Sequence, residues 1–161
     1  MTEPALVPLA LAADNSNQEV SIAERFILAR WGEQTLAFSA ALVLEIMVVE
    51  RSHLLPLPFY AAGVLGVVHH QGSIVPLISL QIQESQGILL AESLTAVRLT
   101  TLAGALAGAG LVIDQVLGAV SSQQLTAEPL GEAGPIRIFQ PEDIPSTVWQ
   151  PQRWQVGVRA S

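Results

Sequence analysis

Apolar residues along this chain gather into short runs, separated by glycine, proline and polar turns. The clearest such stretch is Gly66 to Gln81, G-V-V-H-H-Q-G-S-I-V-P-L-I-S-L-Q. Two β-branched runs flank Gln71-Gly72, which predicts a hairpin. Pro76 falls inside the second run. A proline cannot donate to a ladder, so its strand must be an edge there or carry a bulge. An earlier hairpin is predicted from Arg25–Trp31, a turn at Gly32-Glu33-Gln34, and Thr35–Phe38 with Leu36 and Phe38 on one face. Ala40–Val49 is apolar nearly all round, so periodicity does not separate helix from strand. A short helical turn is expected at its start and a strand toward Val48-Val49. Leu54–Tyr60 carries two prolines, which excludes a regular helix and predicts an extended connector. One helical turn is expected over Ala61–Leu65.

In the second half, 83–93 reads as a polar connector between two lobes. Thr95–Leu102 alternates, with Val97, Leu99 and Thr101 opposed to Ala96, Arg98 and Thr100, which predicts a half-buried strand. Ala103–Gly110 reads as a Gly/Ala loop, and Leu111–Val120 as one strand bent at Gly118. Beyond Ser121, prolines and glycines recur every few residues, leaving short strands at Ile136–Phe139 and Gln155–Val158. Six or more short strands joined by turns predict an all-β domain of barrel or sandwich type. The expected organisation is a flexible arm at 1–20, a main domain at 21–128, and a Pro/Trp-containing segment at 129–161 that completes or replaces the last strands.

Composition narrows the function more than the fold. Half of the 161 residues are apolar and 13% are charged, enough to bury a core. The net charge is −7, with seven arginines and no lysine, so nucleic-acid binding is not expected. There is no cysteine, which removes disulfides, thiol catalysis and cysteine–zinc sites. Glu3, Pro4 and Pro8 interrupt the apolar N-terminus, which argues against a signal peptide. Leu99–Ile113 is shorter than the roughly 20 residues a spanning helix needs. A cytoplasmic protein without direct membrane insertion is the expectation.

The candidate chemistry is sparse. His69 and His70 are adjacent, so on a strand they point to opposite faces. They read as polar hairpin-end residues in preference to metal ligands. Asp114, inside an apolar strand, reads as a cap on a bend or as the partner of an arginine. Gly104, Gly108 and Gly110 do not have the dinucleotide-binding spacing and read as a loop. The Trp149/Trp154 pair reads first as core. Glu45 is the only charge in its apolar run, either solvated at an edge or presented to a partner.

Taken in order, several of these segments resemble the CheW-like domain of bacterial chemotaxis coupling proteins. Leu36-Ala37-Phe38 is similar to the end of that family's opening strand pair. Val43-x-Glu45-Ile46 resembles its V-x-E-I/V element. Pro58 ahead of Gly66-Val67 resembles its P-x-x-x-x-G-V/I approach, and Gly72–Leu80 its G-x-I-V-P-V-I-D-L run. Gly110–Val120 is similar to G-L-V-V-D-x-V-x-x-V. Each match is weak by itself, and their order over about residues 25–125 is what makes them specific.

The resemblance implies two intertwined five-stranded, SH3-like β-barrel lobes, the second incomplete or closed differently. It implies a non-catalytic adaptor, without cofactor or metal, that joins the cytoplasmic tip of chemoreceptors to the regulatory domain of a histidine autokinase. Carried over by position, it implies Val43, Glu45, Ile46 and Gln71 as partner contacts. The sequence departs from the family in three places. The signature turn, usually N-x-R-G, reads His69-His70-Gln71-Gly72, and a neutral amide is no equivalent of a guanidinium. The usual aspartate of the P-V-I-D-L run is Ser79. The usual C-terminal strand pair has no counterpart in 136–161. These departures fit a divergent adaptor, for instance of a pilus-motility or phototaxis pathway, or a competitor of a standard one. The alternative from another class is a small β-barrel ligand binder or enzyme, which needs a closed apolar pocket with convergent polar groups.

Overall fold

The computed structural model describes residues 25–61, 63–80, 91–127 and 135–149. The strands are β1 (Arg25–Trp31), β2 (Gln34–Ser39), β3 (Val43–Glu50), β4 (Val64–His70), β5 (Ser73–Ser79), β6 (Ser93–Leu99), β7 (Gly110–Ile113), β8 (Gln115–Ser121) and β9 (Ile136–Ile138). One short helix, α1 (Ser122–Ala127), follows β8. The strands form two sheets: a five-stranded one in the order β3-β6-β7-β5-β4 and a four-stranded half-barrel in the order β8-β1-β2-β9. The all-β, two-lobed expectation therefore holds.

The chain passes between the sheets twice. It leaves the four-stranded sheet through a 3-10 turn at Ala40–Leu42 and returns at Asp114. Leu111–Val120 is therefore two strands in two sheets, not one. The break is chemical as well as geometric. The Asp114 amide donates to the Arg30 carbonyl (2.9 Å), and its carboxylate accepts the Gly32 amide (2.6 Å). Asp114 thus caps the β1–β2 turn and fixes where the chain switches sheets. Gly118, with φ of 148°, sits where the β1–β8 register shifts, so the bend expected there is a bulge. Because β3 to β7 share one sheet, the segment around 83–93 does not divide the lobes; residues 81–90 and the candidate strand at 155–158 lie outside the described residues.

Three boundaries differ from the expectation. The strand after Ala40–Leu42 begins already at Val43. Val64 and Leu65 belong to β4, so the helical turn expected over Ala61–Leu65 does not extend past residue 63; among the described residues the Val64 amide donates to the Ala61 carbonyl. β6 ends at Leu99, and the following residues form 3-10 turns. β6 is also buried on both faces, not one. Val97 and Leu99 face one core, Leu94 and Ala96 another. Alternation normally marks a strand with one wet face; here both sets are covered because the sheet lies between two cores.

The larger core joins Ile78, Val97, Leu99, Leu111 and Ile113 on the outer face of the five-stranded sheet to Ala29, Leu36 and Phe38 of the other sheet. Phe38 stacks at 4.9 Å on Phe139, just beyond β9, and Ile144 and Val148 are buried in the same core. The smaller core lies on the inner face and contains Met47, Val49, Val68, Val75, Leu77, Leu94, Ala96 and Val112.

The hairpin predicted from Gly66–Gln81 is present, with Gln71 (φ 48°) and Gly72 (φ 81°) at its turn. Positive φ at both central residues is the geometry that suits a two-residue hairpin. Pro76 stands opposite Val67, whose own amide and carbonyl turn away to Leu55. The other side of β5 pairs with β7 only from Leu77 onward. No ladder bond is therefore asked of Pro76: β5 is an interior strand, but its β7 side is unpaired at this residue, so it is edge-like only there.

Candidate interaction site

β3 is an edge strand that alternates from Glu45 onward, after a register shift between Val43 and Glu45 that leaves Val43 against the larger core. Met47 and Val49 point into the smaller core, while Leu44 (56% exposed), Ile46 (41%) and Val48 (68%) form an apolar stripe on the outer face. The four-stranded sheet covers the centre of that face but leaves this edge open. Single exposed aliphatics are ordinary; three in a row on one edge strand are a different matter.

Glu45 shares the inward face with Met47, where a carboxylate would be costly unless paired. It is paired twice. Oε1 accepts Arg98 Nη1 from the opposite position on β6 (3.0 Å), and Oε2 lies 3.3 Å from His70 Nε2 at the end of β4. All three side chains are largely covered, with exposures of 26%, 15% and 23% for Glu45, Arg98 and His70. The hydrogen bonds from Arg98 and then His70 hold the Glu45 carboxyl below its usual value of 4.5, against a smaller opposing effect of burial. His70 is the last residue of β4, at the hairpin end as expected, and the structure adds its contact with Glu45. His69, on the opposite face, is exposed as expected.

Of the residues proposed as contacts from the sequence, Val43 is half-buried against the larger core, Ile46 is exposed in the stripe, and Gln71 is exposed at the hairpin turn. The Glu45–His70 contact brings the β3 element and the hairpin end to one edge of the domain. Sequence reasoning missed Leu44 and Val48, although their spacing around Ile46 was visible. It also missed Arg98, whose role depends on a strand pairing that no local pattern reveals.

A second feature is an apolar cleft of about 360 Å³ on the outer face of the hairpin, lined by Leu57, Tyr60, Val67, Ile74, Pro76 and Trp149 among others. Its lining side chains are apolar apart from Tyr60, and Asp114 is engaged elsewhere with the Gly32 amide. Trp149, expected in the core, is half-buried and packs on the core's margin. Among the described residues, no helix is long and apolar enough to cross a membrane. Nor does any group of three or more His, Asp or Glu there have a metal-binding arrangement.

The family model of the CheW-like domain matches residues 25–139. Among solved structures, the chain is similar to the scaffolding protein TtCheW from Thermoanaerobacter tengcongensis, at 17% identity and a TM-score of 0.48. The match covers 62% of this chain and 62% of that one. No curated protein matches the chain.

Proposed function

Because this chain belongs to the CheW-like domain family, a family of non-catalytic scaffolds, across residues 25–139, we propose that it is an adaptor of a chemotaxis-like pathway. In this reading it is cytoplasmic and couples the cytoplasmic tip of chemoreceptors to the regulatory domain of a histidine autokinase. The observation that carries the proposal is the exposed stripe Leu44–Ile46–Val48 on the β3 edge, set beside the hairpin turn. Val43, Glu45, Ile46 and Gln71 mark the receptor-facing side of that surface. An apolar patch on an edge strand suits two general modes of recognition. An extended segment can add to the strand, or a helix can lay its apolar face along the patch.

The test is capture of purified kinase regulatory domains and receptor tips from the same genome by the immobilised full chain. Binding of at least one kinase regulatory domain is expected; failure of all of them would sink the proposal. A second reading has one observation in its favour. Among the described residues the β8-β1-β2-β9 sheet has only four strands, and its edge beside β2 is a strand of three residues. A lobe of that kind fits a regulatory variant that engages one partner and competes with a standard adaptor for it. Binding of the kinase domain without the receptor tip is the outcome that would favour it.

A further inference from the structure

The five-stranded sheet curls around its smaller core but does not close by backbone pairing. β3 and β4 are its two edges. At one end of this seam the chain itself runs across. Residues 51–63 connect β3 to β4, and Leu55 exchanges two backbone hydrogen bonds with Val67 (2.8 and 2.9 Å). At the other end, where β3 begins and β4 ends, the link is made by side chains. The Glu45 carboxylate reaches His70 across the seam while Arg98 holds it from β6.

We infer that Glu45, Arg98 and His70 form a lock that closes the open end of this seam, with Arg98 and His70 acting as positioning residues through Glu45. Each oxygen of the carboxylate has one partner, on strands at opposite sides of the sheet. Arg98 faces Glu45 directly in the β3–β6 register, so it orients the carboxylate without spanning any gap. His70 is the member that spans it. The lock is largely covered, so salt screens it less than a surface pair. His69 points to the other face and cannot substitute.

The consequence is geometric. The lock sets the distance from the Leu44–Ile46–Val48 stripe to the Gln71 turn, the two sides of the surface proposed above, on which the functional half of this inference rests. A surface fixed before binding pays less ordering cost when a partner arrives. Glu45 then serves partner binding by holding the surface in shape.

The chain has no cysteine, so nitroxide labels can be placed across the seam by Leu44→Cys and Ile74→Cys, both at well-exposed positions. The label-to-label distance distribution would be measured by pulsed electron resonance in the full chain carrying His70, His70→Ala, His70→Gln or Glu45→Ala. His70→Ala and Glu45→Ala should shift the distribution to longer, broader values. His70→Gln, whose amide can still donate to the carboxylate, should restore it, which a loss of general stability would not do. The double alanine variant should be no broader than Glu45→Ala alone. A His70→Ala distribution that superimposes on the parent, or no restoration by glutamine, overturns the lock. If Glu45→Ala does not fold, the His70 pair decides the matter. Capture of a purified receptor tip should weaken about tenfold in His70→Ala. A shifted distance with undiminished capture overturns the functional half and leaves the lock standing.

Discussion

The two faces of the five-stranded sheet are built from alternate residues of the same strands, yet they are finished differently. The inner face closes on itself: Met47, Val68, Leu77, Ala96 and Val112 pack together, the connector crosses one end and the Glu45 lock crosses the other. The outer face depends on a second sheet, which covers Ile78, Val97, Leu99 and Leu111 but stops short of Leu44, Ile46 and Val48. The inner face spends its apolar surface on stability. The outer face has some left over, and that remainder is where a partner has something to gain. In the proposed reading this division is useful, because substitutions on the uncovered edge should change binding with little effect on folding.

The comparison can be broken most severely at Gly66. Its φ is 147°, and a Cβ there would collide with the carbonyl of Leu55, the residue that bridges to β4. Gly66→Ala should cost about 4 kcal/mol or more, read by chemical denaturation, because strained backbone and a clash with main chain add together. A near-neutral result would mean that the connector does not close the inner face. Leu77, fully buried in the inner core, comes next. Leu77→Ala should cost about 3 kcal/mol, whereas Val48→Ala on the exposed edge should stay within about 0.5 kcal/mol. Equal costs would erase the distinction between the faces.

Glu45→Gln sharpens the comparison further, with an expected loss of about 1–2 kcal/mol at neutral pH, since a partly covered carboxylate would lose its charge-assisted bonds. The folded carboxyl is held below its unfolded value of 4.5 by Arg98 and then His70. Its contribution is therefore fully present above that unfolded value and is lost as pH falls through the lowered folded value. Thermal midpoints of parent and variant should differ at neutral pH and converge in acid; a constant gap would refute the assignment. Asp114→Asn, which weakens the hold on the Gly32 amide, should cost about 1 kcal/mol. The smallest effect on stability should come from Ile46→Ser, within about 0.5 kcal/mol, together with loss of partner capture. Unchanged capture would remove the stripe from the proposed surface.

Much of this was legible beforehand because it depends on residues close in sequence. The β4–β5 hairpin followed from Gln71-Gly72 between β-branched runs, the first hairpin from Gly32 between alternating ones, and the local gap in the β5 ladder from Pro76. Asp114 was recognisable as a cap from its isolation in an apolar run, although the strand break it marks was not. Leu111–Val120 reads as continuous because both halves are apolar, and only the presence of a second sheet shows that they part. Local pattern also failed at Val64-Leu65, where pairing with β5 outweighs a sequence that suits a turn, and at β6, where alternation does not reveal that both faces are covered.

By itself, then, the sequence determined the class of fold, most of its strands and turns, and, through the order of its motifs, the family. Those depend on backbone preferences and periodicities that act over a few residues. The tertiary structure alone decided that Glu45 is held by Arg98 and His70, 53 and 25 positions away, and that Leu44, Ile46 and Val48 remain uncovered. Neither result could be read locally, because both depend on which strands become neighbours and on where the second sheet ends.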